Sequence, residues 1–84
     1  MRYTVSYDLN APGKDYKGLT DALKTLGASK LLYSEWILRH RNSSSTLIRD
    51  YLWQFMDAND RLFVACLDSS DWASMRAMTD PNTI

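Results

Sequence analysis

Along these 84 residues the hydrophobic period switches between two and about 3.6, and the order of the switches narrows the fold more than any other feature. From Arg2 to Leu9 the alternation is unbroken. Tyr3, Val5, Tyr7 and Leu9 fall on one side, and Arg2, Thr4, Ser6 and Asp8 on the other, as in a strand with one buried face. A loop, NAPGKD, follows, with Pro12-Gly13 as the breaker pair. Leu19, Ala22, Leu23 and Leu26 then recur at helical spacing and Tyr16 extends the stripe. Asp15 is placed to cap this helix and Gly27 to stop it. The segment SKLLYSEWILRHR, 29–41, reads as two short strands with a turn near Ser34-Glu35. Leu31 and Tyr33 alternate with Lys30 and Leu32 in the first. In the second, Trp36 and Leu38 oppose Ile37 and Arg39. Polar residues 42–45 can cap a second helix, whose face is Leu47, Ile48, Tyr51, Leu52 and Phe55. DAND makes a turn, and RLFVACL is the most strand-like run of all.

Strand, helix, strand, strand, helix, strand is the α+β, ferredoxin-like βαββαβ order. It implies two helices on one face of a four-stranded antiparallel sheet. Residues 1–67 are expected to form this domain, and 68–84 a short helical tail that packs on the domain or on a partner subunit. That helix should start at Ser70 or Asp71 and lean Trp72, Met75 and Met78 inward, with Pro81 and the last residues frayed. The second face of the sheet is left open. Because so short a chain has a small core, a second copy is a natural cover. Such a homodimer interface would use Ser6 and Asp8, with Leu32 and Ile37 as its hydrophobic centre. Trp53, off the main helical stripe, is a further interface candidate.

Lys plus Arg and Asp plus Glu are ten each, so nucleic acid could be held only through a local patch and not by a net basic charge. Lys14, Lys17, Arg39 and Arg41 are the candidates for that patch. His40 has a suitable pKa for a base, but alternation puts it opposite the two arginines, toward the helix layer. The three tryptophans read as core or dimer contacts before they read as base-stacking platforms. One cysteine, Cys66, excludes an intramolecular disulfide and reads as a buried strand thiol. The start MRYTVSYD lacks signal-peptide character and no apolar run approaches a membrane span, so a cytoplasmic location is expected, with no membrane partner. No Gly-rich phosphate loop, nucleophile elbow or His/Cys zinc cluster is present in the sequence.

A carboxylate at the end of the first strand, Asp8, is a metal ligand, the acceptor for N–H groups of the NAPG turn, or a solvated strand edge. The strand ending YDL, the helix closing on LG, the YSEWIL hairpin and the final DRLFVACL together resemble the small CRISPR-associated adaptation subunit, Cas-two, and its VapD-type and uncharacterised phage and bacterial relatives. The resemblance spans roughly residues 2–67. It implies a ferredoxin-like homodimer linked to nucleic-acid processing or host defence. Asp8 would be the metal-binding carboxylate facing its twin, with Tyr7 before it and Ser34 in the hairpin as further catalytic residues. Mg²⁺ or Mn²⁺ would be the cofactor of a nuclease, and none is needed otherwise. The chain departs from the pattern in two places. NAPGKDYKG replaces an Arg-rich entry to the first helix, and 68–84 does not read as a further strand. Those departures turn the expectation away from catalysis. The alternative is a non-catalytic phage-type regulator, or an anti-defence module that binds a protein of a defence complex.

Overall fold

The alternation at the start becomes β1, Arg2–Asp8, in a computed structural model that describes residues 1–68 and 71–84. After it come α1 (Lys17–Thr25), β2 (Ser29–Leu32), β3 (Glu35–Arg39), α2 (Ser45–Trp53) and β4 (Arg61–Leu67). The sheet order is β2-β3-β1-β4 and every neighbouring pair is antiparallel, so the ferredoxin-like arrangement is realised. Register decides which residues meet the helices. Tyr3 stands between Leu38 and Cys66, and Val5 between Trp36 and Val64. With Leu19 and Leu23 of α1 and Ile48 and Leu52 of α2 these close a dry core. No helix among the described residues is long and apolar enough to cross a membrane.

Local chemistry sets the helix ends. The Asp15 carboxylate accepts the Lys17 N–H at 2.9 Å, which relieves an orphan donor of the first turn of α1. Gly27 adopts φ +78°, where a side chain would be strained, and its N–H returns to the Lys24 carbonyl. Ser44 caps α2 through Leu47 N–H at 3.1 Å. The apolar face of α2 is narrower than its sequence suggests. Leu47 points to solvent, and Tyr51 and Phe55 meet edge to face at the margin.

The tail corrects the expectation most. No α-helix begins at Asp71, and the alternative start, Ser70, lies outside the described residues. Met75 and Met78 face solvent instead of leaning inward, whereas Trp72 is half-buried. Pro81 is buried, not frayed, and opens a single 3₁₀ turn, Pro81–Thr83, capped by the Asp80 carboxylate. The segment lies over the sheet face opposite the helices. Met78 N–H reaches Leu31 O at 2.9 Å and the Thr79 hydroxyl reaches Lys30 O at 2.9 Å, so the tail also borders the β2 edge. Arg2 Nε and Arg39 Nη2 donate to the Ile84 main-chain oxygen at 2.7 and 2.6 Å, and the Arg2 guanidinium sits 5.4 Å from the Trp72 ring centre. Ile37 is consequently 0% exposed, so with the tail in place it is not available as the hydrophobic centre of an interface. The physical reason is that Ile37, Leu31 and Leu67 would leave an apolar strip in water, and Trp72 and Pro81 remove it within the same chain.

Candidate functional site

The tail stops short of the Asp8 end of the sheet. What remains open there is a row across all four strands: Leu32 of β2, Glu35 of β3, Ser6 of β1 and Phe63 of β4. Phe63 is 63% exposed and Leu32 47%. Strand spacing puts these two apolar side chains about 14 Å apart. Between them the Ser6 hydroxyl donates to Glu35 Oε1 at 2.6 Å. One step further along, Asp8 pairs across the strands with Arg61. The row floors a depression of about 260 Å³, and an adjoining one of about 500 Å³ shares Tyr7, Asp8 and Ser34 with it.

The three candidate catalytic residues are therefore neighbours, but each is engaged in structure. Asp8 Oδ2 lies 3.7 Å from Arg61 Nη1, both side chains being largely exposed, so the pair is loose and contributes at most about 1 kcal/mol. The Tyr7 hydroxyl accepts from the indole N–H of buried Trp36 at 2.9 Å and is thereby turned toward the core. Ser34 sits in the hairpin turn and contributes its main-chain oxygen to Tyr7 N–H at 3.2 Å. Among the described residues no three His, Cys, Asp or Glu side chains converge as a metal-binding group. Asp8 alone would offer a divalent cation one carboxylate from each chain, so the donors of a single chain are too few to hold Mg²⁺ or Mn²⁺ by themselves.

The turn-holding role open to Asp8 belongs instead to Asp60, in the DAND turn. Asp60 is buried, with Oδ1 accepting Asn10 N–H at 2.6 Å and the Tyr16 hydroxyl at 2.7 Å, and Oδ2 accepting Asp57 N–H at 2.8 Å. Burial opposes its charge, yet the Tyr16 hydroxyl, the two N–H groups and the positive Lys14 outweigh it and hold the carboxyl below its ordinary value. Burial and the facing carboxylate together push the Tyr16 hydroxyl above 10.0. This knot ties the loop after β1 to the turn before β4 and so fixes the rim of the open depression. Nothing in the periodicity marks Asp60. The only signal was a cluster of three acids and amides directly before a strand.

The four basic candidates do not form one patch. Arg39 lies opposite Arg2 at one end of β1 and is held to Ile84, and Arg41 is exposed just beyond it. Lys14, 5.3 Å from the Tyr16 ring, and Lys17, bonded to Asp21 at 2.7 Å, follow the other end of β1, about 20 Å away. His40 is half-buried with Nδ1 at 2.6 Å from the Arg41 carbonyl, which makes that nitrogen the donor. Trp53 is 43% exposed as expected, but it borders a separate depression between α2 and β4, with Leu62 and Arg49. Phe63 went unsingled in the sequence because RLFVACL is apolar at nearly every position and hides which face is wet. No protein-family model matches the chain.

Proposed function

We propose that this chain is a Cas-two-like, self-associating binding subunit, linked to nucleic-acid processing or host defence, whose sheet face docks a second copy and does not cleave nucleic acid. The observation that carries the reading is the exposed row Leu32–Glu35–Ser6–Phe63 with the Asp8–Arg61 pair beside it. Apolar side chains at both ends and both signs of charge make the surface self-complementary, which is what a twofold contact requires. The engagement of Asp8 by Arg61, and of the Tyr7 hydroxyl by Trp36, supports the non-catalytic half of the reading.

Sedimentation of the wild type, followed up to about millimolar concentration, should show a weak reversible dimer, and Phe63→Glu should be monomeric while keeping its circular dichroism. Single-stranded RNA and double-stranded DNA should survive incubation with the protein and Mg²⁺ or Mn²⁺. Metal-dependent cleavage that disappears in Asp8→Asn would overturn the non-catalytic reading and return the chain to the nuclease branch. A wild type that stays monomeric at millimolar concentration would overturn the self-association.

A further inference from the structure

We infer that residues 71–84 are a built-in cover over the second half of the self-association face, and that displacing them lets two copies of this chain pair across the whole sheet. The inference rests on the self-association proposed above and names its regulation. It starts from Ile37. This side chain lies opposite Thr4 on the face away from both helices, yet it is completely buried, and the tail is what buries it. The tail leaves a half-open depression of about 140 Å³ against the sheet, and the Thr4 hydroxyl beside it is buried with no hydrogen-bond partner among the described residues, so this contact is less complete than the core on the other face.

The cover is held at its margins by polar contacts that water can replace: Met78 to Leu31, Thr79 to Lys30, and the two arginines to Ile84. Within the tail only Pro81 is buried, and Met75 is 86% exposed. Segments with few buried apolar contacts and solvent-accessible hydrogen bonds open at low free energy.

Continuity and charge both point to a second copy as the replacement. Strands of four, five, seven and seven residues project to about 360 Å², against about 800 Å² per partner in a stable interface, so the bare sheet is a modest contact and its open part a weaker one. The covered part continues the open one without a break, since Glu35 lines both. The uncovered sheet is also complementary to itself. The row Ile37–Thr4–Ala65 lies midway between the row Arg39–Arg2–Leu67 and the row Glu35–Ser6–Phe63. A twofold axis across the strands at that middle row sets Arg39 against Glu35 of the other copy, and Leu67 against Phe63. With the tail in place this pairing is blocked.

The test uses the 84-residue chain with Trp72→Ser and Pro81→Ser, which removes the two inward side chains of the tail and leaves the sheet intact. Sedimentation equilibrium should show a dimer dissociation constant at least tenfold below that of the wild type. Adding Glu35→Arg should abolish the gain, and adding Arg39→Glu to that variant should restore it. Circular dichroism and a cooperative melt establish that each variant folds; if the double tail variant does not, Pro81→Ser alone is read in the same way. Affinity equal to wild type, in a wild type that Phe63→Glu makes monomeric, overturns the cover and leaves the proposed self-association standing. A gain that survives Glu35→Arg also overturns it. Wild type and variants all monomeric at millimolar concentration overturn both.

Discussion

Replacing Ile37 by Ala separates two pictures of the sheet. On a face open to water the change would cost almost nothing, because surface substitutions stay within about 0.5 kcal/mol. In the structure Ile37 is fully buried beneath the tail. The substitution removes three carbons, and at about 0.8 kcal/mol for each buried methylene the transfer loss is about 2.4 kcal/mol. A rigid site would add a cavity penalty of comparable size, as expected for Leu38→Ala on the helix side. The tail is free to settle into the space, so the penalty for Ile37→Ala should be small and the total about 2.5 kcal/mol. For a domain of this size that is a fall in melting temperature of about 10–20 °C. Urea titration and thermal melts followed by circular dichroism measure both quantities. A loss below about 0.5 kcal/mol would refute the burial of Ile37 by the tail. A loss as large as that of Leu38→Ala would refute the claim that the tail settles. Because Ile37 and Trp72 border the same cavity, combining Ile37→Ala with Trp72→Ser should cost less than the sum of the two.

The Asp60 knot makes the domain acid-sensitive in a defined direction. Since its folded pKa is below the ordinary 3.8, its contribution is present above 3.8 and is lost as pH falls through the lower folded value; Asp60→Asn should melt lower at pH 7 and show less acid dependence. The Tyr16 hydroxyl acts at the other end of the scale. With its pKa raised above 10.0, its contribution holds below 10.0 and is lost as pH rises through the folded value, a loss that Tyr16→Phe should lack in an alkaline titration. Ser44→Ala removes the cap on Leu47 N–H and should cost about 1 kcal/mol in a urea titration. Arg61→Ala breaks only an exposed pair at 3.7 Å, so its stability should stay within about 1 kcal/mol of wild type; a larger loss would mean that the open end of the sheet is more tightly organised than its exposure implies.

Six elements could be read from the sequence because most have one wet side and one dry side, β3 and β4 being the exceptions. Tyr3 and Val5 of β1, and Leu19 and Leu23 of α1, repeat at the period that burial on one side demands. Asp15, Ser44 and Gly27 were readable for a related reason, since helix ends need local acceptors and one left-handed residue. The candidate site was harder. Asp8, Tyr7 and Ser34, singled out together only through the family resemblance, do share one end of the sheet. Their engagements with Arg61, Trp36 and the Tyr7 amide depend on cross-strand register, which no stretch of sequence contains by itself. Asp60 carries no periodic signal, because a buried carboxylate is defined by donors that arrive from residues 10, 16 and 57. Ile37 misled for the opposite reason. Alternation correctly assigned it to the face away from the helices, and that face turned out to be covered by a segment with no regular period of its own.

The position of β1 in the sheet has a consequence for the order in which the molecule is made. β1 is synthesised first but is flanked by β3 and β4, so the sheet cannot be completed until residue 67 has left the ribosome. Pairing β1 with β4 joins residues 53 to 65 apart in the chain, so the middle of the sheet closes through the longest loop of the fold. The tail can settle over Ile37 only once that closure has set the strands side by side.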